Sequence, residues 1–208
     1  MDHPPVGDPR SPGSATGPAL TLLLSRGEWP VDWQAAIGRC LPQIARLDLF
    51  CTLWATRLIN ENFAFLPPGR RVFCAHTQQR LGGAPLAAGS PFVAGGLATL
   101  GRMVRESHAV LSLPHLHCSG VLGEEGVKNI GIILGEEPEF QKEAIRLATG
   151  LAGCNHAVTL YTPTEPEVLR LLSPETASLL EALLAMQAEF KIASAELSPG
   201  NHGVLLQL

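Results

Sequence analysis

Leu20-Thr21-Leu22-Leu23-Leu24-Ser25 is the stretch on which the fold turns. A short apolar run without alternation reads as a strand buried on both faces, as in a parallel sheet. Trp33, Ile37, Leu41 and Ile44 follow at helical spacing, with Pro42 kinking or restarting that helix. Leu47 to Trp54 then returns to strand-like composition. Strand, helix, strand implies crossover units, and so an α/β fold with a largely parallel sheet.

The same order recurs downstream. Ile130 to Leu134 is a second buried-strand run, Phe140, Ala144, Leu147, Leu151 and Cys154 form a helical stripe, and Ala157 to Tyr161 is the next strand. Sliding Leu20 onto Ile130, a displacement of 110 residues, also carries Ile37 onto Leu147, Leu41 onto Leu151 and Phe50 onto Leu160 without a gap. The pattern predicts two tandem open parallel-sheet units related by internal duplication. Ser173-Pro174-Glu175 is a helix start, combining a capping hydroxyl, a first-turn proline and an acid near the positive end of the dipole. Leu179, Leu180, Leu183 and Leu184 supply the expected buried face of that helix. Phe190, Ile192 and Ala193 read as a further strand, and Val204 to Leu208 as one closing an edge.

Breaks in composition set the boundaries. Residues 1–17 hold Pro4, Pro5, Pro9 and Pro12 among Gly, Ser and Asp, and are expected to be a disordered leader. The first unit is expected over 18–128, with a Gly-rich loop at 81–96, and the second over 129–208. Of the 208 residues, 46% are hydrophobic and 5% aromatic, so the core should be aliphatic. A net charge of −4 argues against nucleic acid as a partner, because such binding needs concentrated Lys and Arg to displace counterions. Gly69-Arg70-Arg71 is the only short basic cluster and reads as a solvated loop. No apolar run approaches the roughly 20 residues that span a bilayer, and the leader lacks the features of a signal peptide. The cysteines (40, 51, 74, 118 and 154) form no CxxC pair and are odd in number, which points to a reducing, cytoplasmic compartment.

Cys118 is the leading candidate for chemistry. It lies in Val110-Leu-Ser-Leu-Pro-His-Leu-His-Cys-Ser-Gly120, a strand-like run breaking into a small-residue turn, with Ser119 and Gly120 as near-site residues. Open parallel sheets bind ligands at the carboxyl ends of their strands, where a cysteine can face the positive end of the next helix. His115 or His117 could favour the Cys118 thiolate, whereas Glu124 and Glu125 oppose it. Cys74, in Val72-Phe73-Cys74-Ala75-His76, is a second thiol candidate; Cys40, Cys51 and Cys154 are expected in the core. His115, His117 and Cys118 also invite a metal-binding reading, with His76 or His108 completing the set, but no ligand spacing supports it and no metal site is assigned. Neither a Walker loop nor a dinucleotide fingerprint nor a nucleophile elbow is present, and no cofactor is expected.

Two segments resemble the DsrE/DsrF-like sulfur-relay family. Asp48-Leu-Phe-Cys-Thr-Leu-Trp-Ala55 is similar to the family's second strand, and His117-Cys118-Ser-Gly-Val-Leu-Gly-Glu-Glu-Gly-Val127 to its cysteine segment. The resemblance implies DsrE-like units of doubly wound α/β fold and Cys118 as a sulfur acceptor. It further implies a persulfide carrier or sulfurtransferase that works between donor and acceptor proteins and assembles with copies of itself. In the second unit the corresponding strand end, Ile192-Ala193-Ser194-Ala195, has no cysteine, as in mixed assemblies where only some subunits carry the thiol. The competing expectation is a non-catalytic assembly or small-ligand-binding module; metal binding through His115, His117 and Cys118 is the third.

Overall fold

The computed structural model describes residues 17–28, 44–61, 66–113, 123–162, 169–192 and 202–208. The strands are β1 (Ala19–Leu24), β2 (Arg46–Cys51), β3 (Arg71–Cys74), β4 (Val93–Gly95), β5 (Ala109–Leu113), β6 (Asn129–Ile133), β7 (Ala157–Thr162), β8 (Glu189–Ile192) and β9 (Val204–Gln207). They form two parallel sheets interleaved with helices. One has the order β4-β3-β2-β1-β5 and the other β8-β7-β6-β9. The helices are α1 (Ala75–Arg80), α2 (Leu97–Arg105), α3 (Pro138–Gly153) and α4 (Pro174–Ala185), with 3-10 turns at Leu53–Asn60 and Arg170–Leu172.

β1 is an interior strand, and its two faces explain its unbroken apolar sequence. Leu20, Leu22 and Leu24 enter one core with Leu47, Leu49, Cys51, Phe73 and Leu111. Leu23 enters the other with Phe50, Val72, Met103 and Val110. That second core also contains Ile130 and Ile132 of β6, Leu160 of β7, and Ala144, Leu147 and Leu151 of α3, so a single apolar cluster joins the two sheets.

Two glycines let α2 and α3 approach closely. A Cβ on Gly101 of α2 would stand 2.3 Å from the Cys154 sulfur, and one on Gly150 of α3 would stand 2.3 Å from the Leu97 Cβ. Only residues without a side chain permit this helix approach. At the sheet edges, the Gln207 N–H of β9 donates to the Ser112 hydroxyl of β5 at 3.0 Å.

The expected helix start is found at Ser173, whose hydroxyl accepts from the Thr176 N–H at 3.1 Å. Leu180 and Leu183 are buried on α4, but Leu184 is 47% exposed, so the apolar face is narrower than its sequence suggests. The Gly-rich stretch is partly a strand: β4 lies within it, Phe92 is buried, and Asn60 ties the loop down through the Pro85 carbonyl and the Ala87 N–H.

Arg70 and Arg71 are not a solvated patch. Arg70 donates from its backbone N–H (2.7 Å) and Nε (2.9 Å) to Asp48, which is 0% exposed, and Arg71 is buried with its guanidinium on the Leu47 and Pro67 carbonyls. Gly69 allows this: a Cβ there would lie 2.1 Å from the Leu47 oxygen.

The helical stretch around Trp33 to Leu41, with Pro42, and residues 1–16 of the leader lie outside the described residues. No described helix is long and apolar enough to cross a membrane.

Candidate functional site

The first sheet's connections reverse between β1 and β5: the chain steps outward through β2, β3 and β4, then returns to place β5 on the far side of β1. In open parallel sheets such a switch point, at the carboxyl ends of the strands, is where ligands bind. The second sheet reverses between β6 and β9. It is therefore β9, not the strand ending at Ile192, that occupies the place of β5; β8 sits at the opposite edge.

His115, His117, Cys118, Ser119 and Gly120 lie outside the described residues, as does Cys40. β5 ends at Leu113, and the described chain resumes at Gly123, whose N–H donates to the His108 carbonyl at 2.9 Å. His108 precedes β5, so the chain has returned by then to the strand's amino end. Glu125 approaches His108 Nδ1 at 3.9 Å.

The described part of the carboxyl edge is built around Cys74, the last residue of β3 and the N-cap of α1. Its sulfur accepts from Nη2 of Arg146 at 3.0 Å, and Cys74 is 1% exposed. Arg146 belongs to α3, the helix between β6 and β7 of the second sheet. On the same helix, Glu143 accepts from Arg146 Nε at 2.9 Å and Nη2 at 2.5 Å, and from the hydroxyl of Thr52, the residue after β2. The Thr77 hydroxyl of α1 is 3.3 Å from that of Thr52 and donates to the Cys74 carbonyl at 3.1 Å. Arg26, just beyond β1, stacks over Phe140 of α3 at 5.1 Å.

Burial opposes the charge on Arg146, but its hydrogen bonds and attraction to Glu143 and Cys74 outweigh this and raise its pKa above the ordinary arginine value. Beside this cluster is a small pocket of about 20 Å³, lined by His76, Arg80, Lys142, Glu143, Arg146 and Glu175. Its charges are largely paired. Arg80 and Lys142 both meet Glu139, and His76 is 3.8 Å from Glu175.

No family model, no curated protein and no solved structure matches the chain.

The other described cysteines offer less. Cys51 is 0% exposed, and burial pushes its thiol well above the ordinary value despite the nearby Arg71 charge. Cys154 follows α3 and is half-buried against Gly101 rather than sunk in the core. Among the described residues no group of three or more His, Cys, Asp or Glu side chains could hold a metal ion; His76 and His108 fall in no such cluster.

A wider opening lies at the amino ends of the second sheet, lined by Asn129, His156, Thr159, Met186, Glu189 and His202. Its histidines are already engaged. His156 Nδ1 accepts from the Lys128 N–H at 3.1 Å, which leaves Nε2–H to donate to the Gly101 carbonyl at 3.1 Å. His202 bridges Tyr161 at 2.5 Å and Asn129 at 3.1 Å.

Sequence reasoning missed Thr52, Glu143 and Arg146. One signal was available: Glu143 stands three residues after Phe140 and directly before Ala144, within the apolar stripe of its helix. A charged residue at such a position needs a buried partner.

Proposed function

We propose that this chain is a sulfur-relay protein, with Cys118 holding a persulfide between a donor and an acceptor protein. The observation that carries the reading is the position of β5 at the switch point of the first sheet, with Cys118 five residues beyond its last residue, Leu113. The step is redox-neutral. The Cys118 thiolate attacks the outer sulfur of the donor persulfide, the donor S–S bond breaks, and the donor leaves as a thiolate; proton exchange with solvent completes the transfer.

An internal duplication of DsrE-like units belongs to the same reading. It draws support from the strand orders: without the extra edge strand β4, the first sheet runs β3-β2-β1-β5 and the second β8-β7-β6-β9. The equivalence is not gapless. Leu23 pairs with Phe50, while Ile133, 110 residues on, pairs with Tyr161, so Phe50 matches Tyr161 and not Leu160. Donor and acceptor proteins, and further copies of the chain, are the partners this reading requires.

A second reading, a non-catalytic assembly or ligand-binding module, is favoured by α3. Glu143 and Arg146 occupy the carboxyl ends of β2 and β3 through Thr52 and Cys74, and Phe140 lies against Arg26 just beyond β1, where a ligand would otherwise sit. The pH dependence of alkylation separates the two. A carrier thiol at Cys118 should reach half its maximal alkylation rate at a clearly lower pH than free cysteine. A Cys118 that titrates like free cysteine would favour the module.

A further inference from the structure

The second sheet has two unlike faces. Ile130, Ile132, Val158 and Leu160 point into the core that joins the sheets. The alternate residues of β6 and β7 share the other face, in register as Asn129 with Ala157 and Gly131 with Thr159, and Thr159 pairs in turn with Glu189 of β8. These side chains are small or polar, and an opening of about 300 Å³ lies against them at the amino ends of the strands. The His202 ring lies over Gly131, where a Cβ would stand 2.9 Å from its Cδ2. Two hydrogen bonds fix that ring. Asn129 Oδ1 can only accept, so Nδ1–H donates to it, and Nε2 accepts from the Tyr161 hydroxyl.

Thr159 is the residue that points to a ligand. It is 4% exposed, and its hydroxyl has no hydrogen-bond partner among the described residues. Nor is the hydroxyl sealed off, since among those residues only Arg46 Nε is both enclosed and without a hydrogen-bond partner. It therefore opens on the space that Thr159 lines. A valine would fill the same volume without withdrawing an unpaired hydroxyl from water.

We propose that this opening is a binding site for an uncharged polyhydroxy compound, a free sugar or the ribose of a nucleoside. No Lys or Arg lines it, and the carboxyl ends of α3 and α4, which carry partial negative charge, reach it at Ala152 and Met186, so an anion is disfavoured. A cation would find Glu189 alone, exposed to water, and the end of α3 is already met by Arg105 on the Cys154 carbonyl. Hydroxyl groups suit the set that remains. The Thr159 hydroxyl and the Gln187 amide each donate and accept, and a carboxylate such as Glu189 can accept from two neighbouring O–H groups. Gln187 is held at the rim by the turn that ends α4, in the left-handed conformation at φ 60°. The site stands apart from sulfur carriage at Cys118, and its test leaves that residue unchanged.

The full-length protein is titrated calorimetrically with D-glucose, D-ribose and adenosine, with succinate and putrescine as anionic and cationic controls. Saturable binding of at least one neutral probe is expected, and neither control should compete with it. Ribose and adenosine without glucose would identify the ribose of a nucleoside, and glucose a free sugar. T159V should weaken the bound probe about fivefold, the weight of one net hydrogen bond, while its Tm stays level or rises. T159S keeps the hydroxyl and should keep the affinity. No saturation by any neutral probe at about 10 mM would overturn the proposal. So would tighter binding of either control, or an affinity that T159V leaves unchanged. A T159V protein with a markedly lowered Tm would overturn it too, by showing that the hydroxyl serves the fold.

Discussion

Replacing Glu143 with alanine should strand a positive charge. The carboxylate is 1% exposed and accepts two hydrogen bonds from Arg146 and one from Thr52. Without it, a guanidinium whose side chain is 11% exposed keeps only the Cys74 sulfur. Removing one partner of a buried ion pair costs about 3–5 kcal/mol, because the other charge stays out of water. Thr52 adds little to this, since the Thr77 hydroxyl 3.3 Å away can take over its proton. Arg146→Ala leaves the carboxylate with Thr52 alone and should cost a similar amount. The double variant strands neither charge, so its cost should fall below the sum of the singles by at least about 2 kcal/mol. Urea unfolding followed by both circular dichroism and tryptophan fluorescence measures this, provided the m-value holds constant. Single variants within about 1 kcal/mol of the parent would refute the reasoning. Additive singles would refute it equally.

Three further outcomes follow from the fold. Gly69→Ala should leave little folded protein or a sharply lowered Tm, since its Cβ would meet the Leu47 carbonyl oxygen at 2.1 Å; a Tm close to the parent would contradict the close approach. Ser173→Ala removes the hydroxyl that caps α4 and should cost about 1 kcal/mol in denaturant unfolding. His156 has its pKa lowered from 6.5 by burial, with Arg105 and Lys128 adding to the effect and the Gly101 carbonyl opposing it. The unfolded chain therefore takes up this proton first, so the stabilisation is complete above pH 6.5 and is lost as pH falls towards the folded-state value. His156→Gln should flatten the fall in stability below pH 6.5, and an unchanged slope would count against the burial account.

What the sequence made legible was whatever its local pattern determines. Leu20 to Leu24, Ile130 to Ile133 and the stripe from Phe140 to Leu151 announce β1, β6 and α3, because burial on both faces leaves an unbroken apolar run and burial of one helix face leaves a periodic stripe. β3 escaped because Arg71 reads as polar, and its burial depends on carbonyl partners that only the folded chain supplies. α2 escaped because Gly101 reads as a break, while its actual role is to admit Cys154. The cluster at Cys74 was hidden for the same reason. Its partners lie 72 residues away at Arg146 and, from Thr52 to Glu143, 91 residues away. A cysteine could be suspected there, but not the guanidinium that covers it.

Sulfur carriage at Cys118 is tested most directly by incubating the intact protein with a persulfide donor and mapping the added mass. The expected result is one sulfur atom on the peptide containing Cys118, released by a thiol reductant, absent from Cys118→Ser and retained in Cys74→Ser. No added sulfur, or sulfur that persists in Cys118→Ser, would contradict the proposed function.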